Sequence, residues 1–255
     1  MAEPVPARVL VEACVDSVES SMAAERGGAR RLELCDALFD GGTTPSAGMI
    51  AACREAVSIP VFVIIRPRGG GFLYSDIELD VMRRDIVAAR ERGADGVVIG
   101  VLRSDGTVHE DRVRSLVDVA GDMPVTFHRA FDFAPDLSAA LATLESAGVS
   151  RVLTSGGAPS ARDGVAVLAL LVRQAGDRLT VMAGGSVREE NVREIVDRTG
   201  VREVHVRLTR QTRGTGPDLK PGVRVRKPLP VDEAAWEETD EERTRRFVSI
   251  ANAAE

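Results

Sequence analysis

Val11-Glu12-Ala13-Cys14 and Leu32-Glu33-Leu34-Cys35 each end an apolar run with a glutamate and a cysteine two positions apart. In an extended strand, residues i and i+2 point to the same side, so Glu12 shares a face with Cys14 and Glu33 with Cys35. If the two segments are parallel neighbours, two carboxylates and two thiols gather near their C-terminal ends, where open sheets and barrels keep their active sites. Carboxylates there can act as acid or base, and thiolates can act as soft metal ligands. One cysteine in such a run reads as a small buried hydrophobe; the same pairing twice, in register, reads as a site.

Other chemistry-bearing residues also fall just after apolar runs. Arg66 opens Arg66-Pro67-Arg68-Gly69-Gly70-Gly71, where a guanidinium can clamp a carboxylate or phosphate and the glycines allow close approach or a moving lid. His128 and Arg129 pair a proton carrier with a fixed cation. Of the three histidines, His128 and His205 sit at strand ends, whereas His109 follows Asp105-Gly106 and reads as surface. Ser155-Gly156-Gly157 and Gly184-Gly185 lie in small turns leading into helices, and backbone N–H groups in such turns form anion sites. No Gly-x-Ser-x-Gly elbow, P-loop, Cys-x-x-Cys pair or His-Glu-x-x-His helix is present.

The elements that must position these residues alternate between short apolar runs and longer amphipathic stretches, as βαβ units do. Strands are expected over 8–15, 31–35, 61–65, 96–101, 124–128, 151–154, 179–183 and 203–206, with helices among them over 17–26, 77–92, 137–147, 162–174 and 188–198. Gly28, Gly93, Gly148 and Gly200 punctuate helix ends, where a left-handed residue stops the helix before the next strand. Eight units exceed the five or six strands of a doubly wound sheet and predict a single (β/α)8 TIM-type barrel over about 8–206. The rest, 207–255, reads as a C-terminal extension of the same domain: a long Gly- and Pro-rich loop from Thr209 to Glu233, then a helix from Asp240 to Ala253.

The composition agrees with this scheme and excludes several function classes. The 255 residues are 44% hydrophobic and 28% charged, ordinary for a folded globular chain. A formal charge of −6 argues against a nucleic-acid partner despite the abundance of arginine. Three cysteines, Cys14, Cys35 and Cys53, make no disulfide framework and fit a reducing cytoplasm. No run approaches the ~20 apolar residues of a membrane span, and Met1-Ala2-Glu3-Pro4 does not start a secretion signal. A soluble, cytoplasmic protein without a membrane partner is expected.

Together these blocks resemble the CutC family, proteins named for copper homeostasis. The likeness runs from Glu12-Ala13-Cys14-Val15-Asp16-Ser17-Val18-Glu19-Ser20 through Leu32-Glu33-Leu34-Cys35 and Gly41-Gly42-Thr43-Thr44-Pro45-Ser46. It continues through Ile65-Arg66-Pro67-Arg68-Gly69-Gly70, Phe127-His128-Arg129-Ala130-Phe131-Asp132, Leu153-Thr154-Ser155-Gly156-Gly157-Ala158 and Met182-Ala183-Gly184-Gly185, covering about residues 8–206. The resemblance implies a TIM-type barrel, a cytoplasmic location, homo-oligomers (dimer or tetramer) and a Cu(I) site whose cysteines match Cys14 and Cys35. The chain departs from the family at Glu203-Val204-His205-Val206-Arg207, where a bulky Arg207 stands in place of a small residue.

Two functions follow as expectations. In one, Cys14 and Cys35 hold Cu(I) at the barrel mouth, with no organic cofactor. In the other, the same rim is an enzyme's: Glu12 or Glu33 is acid or base, His128 a proton shuttle, and Arg66 and Arg129 are clamps. Ser155, Gly156, Gly157, Gly184 and Gly185 would then receive the anion of a small phosphorylated or carboxylated substrate.

Overall fold

The computed structural model describes residues 9–214 and 234–253. Its first eight strands are β1 (Leu10–Val15), β2 (Arg31–Leu34), β3 (Val61–Ile64), β4 (Gly96–Ile99), β5 (Val125–Phe127), β6 (Arg151–Thr154), β7 (Thr180–Ala183) and β8 (Glu203–Val206). They pair in sequence order, all parallel, and β8 returns to β1 to close the barrel. Between them run α1 (Val18–Arg26), α2 (Ala47–Ala56), α3 (Asp76–Glu91), α4 (Glu110–Ala120), α5 (Leu137–Ser146), α6 (Val165–Ala175) and α7 (Val192–Thr199). This is the expected TIM-type fold.

Local chemistry sets the helix starts. Ser17, Ser46, Ser75, Asp136 and Asp240 each accept a first-turn backbone N–H with the side chain, satisfying one of the donors that every helix leaves open. At Ser75 the Glu78 carboxylate reaches back to complete a capping box.

Beyond β8 the chain differs from the expected loop. Residues Thr209–Arg213 form β9, paired antiparallel with β10 (Ala235–Thr239) in a two-stranded sheet. The remainder of the expected loop, 215–233, lies outside the described residues. The last helix, α8 (Glu241–Ala251), packs on α1 and α7. It fills the eighth place in the helical ring, so β9 and β10 form an excursion between β8 and its own helix. Thr239 N–H donates to Ser20 Oγ (3.0 Å), fastening the excursion to α1, and Arg243 pairs with Glu189 (2.8 Å), fastening α8 to the segment that precedes α7.

Strand alternation divides two interiors. Val11, Ala13, Leu32, Leu34, Val61, Val63, Val97, Ile99, Val152 and Val181 face the helices in the large apolar core. The opposite face of the same strands looks into the barrel, and there the filling is largely ionic, unlike the branched aliphatic layers usual for this fold.

Candidate functional site

The floor of the barrel is a chain of buried charges. Glu12 on β1 sits opposite Arg31 on β2 and His205 on β8 in the strand register. Arg31 donates from Nε to the Glu12 carboxylate and from Nη2 to Glu203 (2.5 Å), and Glu203 also receives Arg151 from β6 (2.5 Å). Both guanidinium groups lie against the Phe62 ring, their carbon centres 5.1 and 5.6 Å from its centroid. The ring fits because β4 offers Gly96, where a Cβ would come within 2.6 Å of it.

Above the floor stand the sulfurs. Cys14 Sγ is 3.8 Å from Cys35 Sγ, and Cys35 Sγ is 3.5 Å from Glu33 Oε2. One ligating atom from each of Cys14, Glu33 and Cys35 lies within 4.8 Å of the others, and all three residues are buried. His205 ties this cluster to the floor: its Nδ1 donates to Glu12 Oε1 (2.8 Å) and its Nε2 is 3.6 Å from Glu33 Oε2. Ile64, Val98 and half-buried Leu38 wall the sulfurs in.

This packing separates the proton affinities of like groups. Burial alone would raise Glu12, but Arg31 and His205 outweigh it and hold the carboxyl at about 2. Glu33 has no arginine; burial together with the Cys14 and Glu12 charges pushes it up to about 8 against the pull of His205. Burial lowers His205, yet Glu33, Cys14 and Glu12 reverse the effect and hold it well above the usual histidine range. Cys14 is held well below the ordinary thiol range, first by hydrogen bonding from Cys35 and then by His205, while Cys35 is pushed well above it by the same contact with Cys14 and by burial. At neutral pH the six ionised groups close to neutrality: cations Arg31, Arg151 and His205 against anions Glu12, Glu203 and Cys14. Glu33 and Cys35 keep their protons.

The expected anion turn has a different occupant. The Asp132 carboxylate accepts from Ser155 N (3.0 Å), Gly157 N (3.0 Å) and Ser155 Oγ (3.1 Å), as well as from the Thr154 hydroxyl. Gly156 N donates to Thr154 Oγ1 (2.8 Å) and Gly184 N to Thr154 O (2.9 Å). The turn does bind an anion, but the anion is the protein's own side chain, held by backbone and hydroxyl donors. Arg129 completes this arrangement, donating to Asp132 (2.7 Å) and to Ser155 Oγ (2.9 Å), with Gly185 packed against its guanidinium.

Arg66 and His128 stand on the β3 and β5 side of the mouth. Arg66 donates to the carbonyls of Asp40 (2.8 Å), Gly42 (2.6 Å) and Gly70 (2.8 Å), tying two mouth loops together. His128 Nδ1 accepts from Ala130 N (3.1 Å), and its ring occupies the space a side chain at Gly100 would need, with a Cβ there only 2.1 Å away. Burial and Arg66 lower His128 to about 3, so it is neutral. A cleft of about 350 Å³ lies between α2 and α3, lined by Thr44, Ser46, Arg66 and Asp85, with none of the sulfur cluster in its wall.

Glu12, Cys14, Glu33 and Cys35 therefore come together, whereas Arg66, His128 and Arg129 make their polar contacts elsewhere. Residues the motif reading left out complete the cluster: His205, noted only as a strand-end histidine, and Arg31, Arg151 and Glu203. For all but Arg151 the signal is a polar residue at every second position of Arg31-Leu32-Glu33-Leu34-Cys35 and Glu203-Val204-His205-Val206-Arg207, which marks a polar barrel interior. Arg207 itself pairs with Glu237 of β10 (2.5 Å).

The sequence profile of the CutC family matches residues 9–210. The human copper homeostasis protein cutC homolog is 46% identical over 243 residues, covering 95% of this chain and 89% of that one. A family protein CutC from Chromobacterium violaceum is 50% identical over 77% of this chain and 79% of its own. The crystal structure of CutC from Streptococcus agalactiae superposes with a TM-score of 0.74 at 34% identity, covering 77% of this chain and 97% of that one. Thiamine phosphate pyrophosphorylase from Pyrococcus furiosus, at 16% identity and a TM-score of 0.57, covers 96% of each chain and shares the fold alone.

Proposed function

The chain belongs to the CutC family, and from that premise and the geometry of the barrel we propose that Cys14 and Cys35 bind Cu(I), giving the protein a place in copper homeostasis. The observation that carries this reading is the pair of buried sulfurs 3.8 Å apart, one held as thiolate by its neighbours. Thiolates are soft ligands that favour Cu(I), and a site of sulfur donors shielded by apolar walls keeps harder competitors out. Glu33, the third member of the group, is a hard ligand held protonated at neutral pH, so the two sulfurs do the binding. The free cysteines fit the reducing cytoplasm in which we place the protein, and homo-oligomeric assembly is carried over from the family resemblance.

The test is an anaerobic Cu(I) titration against a competing chelator. One site per chain is expected, lost in Cys14→Ser and in Cys35→Ser but retained in Cys53→Ser, because Cys53 lies apart and bonds to Ser21 Oγ (3.4 Å). Equal loss in all three variants would mean plain thiol scavenging.

One observation favours a second reading. Two buried carboxyls, Glu12 near 2 and Glu33 near 8, are driven apart by their surroundings, the pattern by which enzymes assign acid and base roles. On that reading Glu33 is the general acid of a small-molecule reaction at the same mouth. Its test is a Glu33→Gln variant, which keeps Cu(I) binding and loses any turnover found for the wild type.

A further inference from the structure

Arg66 is nearly inaccessible, 5% exposed, and its charge is not answered by a neighbouring acid. Among the described residues no carboxylate lies within 4 Å of its guanidinium, and its hydrogen bonds go to three neutral carbonyls. A buried cation without a counter-charge is costly. Its Nε–H is also buried with no acceptor.

Two more unanswered polar atoms stand beside it. His128 accepts a backbone N–H at Nδ1, so the proton of the neutral ring is on Nε2, and that N–H is buried without a partner. The Tyr74 hydroxyl is buried without a partner of good geometry as well, its nearest polar neighbour being the Arg66 side chain, which offsets part of the upward push of burial on the phenol. Of the five such atoms among the described residues, three therefore belong to one cluster. Phe72 joins its two principal members: its ring centroid is 5.4 Å from the Arg66 guanidinium carbon and 4.9 Å from the His128 ring.

We propose that Arg66 and His128 form a binding site for a small monocarboxylate, which enters by displacing the Phe72 ring and accepts from Arg66 Nε and His128 Nε2. The orphaned groups nearest the ring are donors, so the ligand must be an acceptor. The site carries one uncompensated positive charge, because the imidazole remains neutral; a monoanion balances it and a phosphate dianion leaves an excess buried charge. Planar carboxylate oxygens suit a guanidinium edge. Gly42, whose carbonyl holds Arg66, also packs on the Cys35 sulfur, with a Cβ there 3.3 Å away, so the ligand would lie one residue from the sulfur pair without using it.

The experiment is thermal melting and calorimetric titration of the full chain with sodium formate and sodium acetate, against chloride and inorganic phosphate at equal ionic strength. Saturable stabilisation by the carboxylates is expected. Affinity should fall at least tenfold in His128→Asn, which keeps an acceptor for the Ala130 N–H but is too short to reach the ligand. It should rise in Phe72→Ala, and stay unchanged in Cys14→Ser. No saturable effect in wild type or Phe72→Ala, equal stabilisation by phosphate or chloride, or undiminished affinity in His128→Asn would each overturn the proposal. Arg66 is left intact throughout because its loss would also free three loop carbonyls.

Discussion

Glu12 Oε1 accepts from His205 Nδ1 at 2.8 Å across the β1–β8 seam that closes the barrel. That contact joins the ionic floor to the sulfur cluster, because the imidazole's other nitrogen faces Glu33. A doubly protonated ring is thus clamped between two acids, and its charge is available to Cys14. Removing it should shift the thiol. In wild type, alkylation of Cys14 by iodoacetamide from about pH 6 to 8 is expected to vary less with pH than that of an ordinary thiol, because its surroundings favour the thiolate. In His205→Gln the rate should rise across that interval as Cys14 returns toward the ordinary thiol range. A flat profile in both proteins would remove His205 from the account.

The ionic floor predicts an asymmetric response to mutation. Arg31→Met leaves Glu12 and Glu203 facing each other with only Arg151 and His205 to compensate. Breaking one partner of a buried ion network typically costs about 3–5 kcal/mol. Exposed pairs such as Arg84–Asp80 should cost less than about 1 kcal/mol when broken. Urea midpoints of the two variants make the comparison.

Asp132 gives a stability test with a chemical rescue. Its carboxylate is 7% exposed and takes the donors of Thr154, Ser155 and Gly157, so Asp132→Ala should cost about 2–4 kcal/mol and lower melting by roughly 5–10 °C. Arg129, 42% exposed, should matter by less than about 1 kcal/mol. Sulfate should restore part of the loss in Asp132→Ala, by binding the vacated donors, and give no such gain in wild type. Equal response in both proteins would mean the turn has no special affinity for anions.

The barrel was legible because strand and helix periods alternate eight times, and the Glu-x-Cys pairs were legible because period two puts both side chains on one face. Asp132 was not, because a turn of small residues looks the same whether its anion is a substrate or a side chain more than twenty residues earlier. Arg66 shows the same limit: the sequence marks a guanidinium at a strand end, but only packing reveals that three loop carbonyls take most of its donors. His205 and Glu203 come from the last strand and meet Glu12 and Arg31 of the first two only when the barrel closes. The β9–β10 pairing escaped because its sequence, Thr209-Arg210-Gln211-Thr212-Arg213, is polar on both faces and exposed, with no apolar alternation to announce a strand.

His128 sets a pH dependence of opposite sign to that of His205. Its folded value is about 3 against 6.5 for a free histidine, so below 6.5 the unfolded chain takes up a proton that the folded chain refuses. The stability it confers is present above pH 6.5 and is lost progressively as pH falls toward 3. Between pH 6.5 and 5 the loss should be about 2 kcal/mol in wild type and absent from this source in His128→Asn. Glu33, already protonated in the folded chain over this range but ionised in the unfolded one, acts in the other direction in both proteins and cancels in the difference. Denaturation curves at the two pH values measure it; parallel shifts in wild type and variant would show that His128 is not the titrating group.

The charge balance around the sulfurs predicts the proton stoichiometry of copper binding. Before binding, Cys14 is a thiolate and Cys35 a thiol, and Glu33 holds its own proton. A monovalent ion that entered with no proton leaving would put an extra positive charge into a buried space already near neutrality, at a substantial desolvation cost. If the Cys35 proton leaves instead, one positive charge replaces another and the balance is kept. Cu(I) binding at pH 7 should therefore release about one proton per ion, measured as the difference in heat between two buffers of unlike ionisation enthalpy. Release of two protons would mean that Cys14 is not a resting thiolate, and release of none would mean that Cys35 is not a ligand.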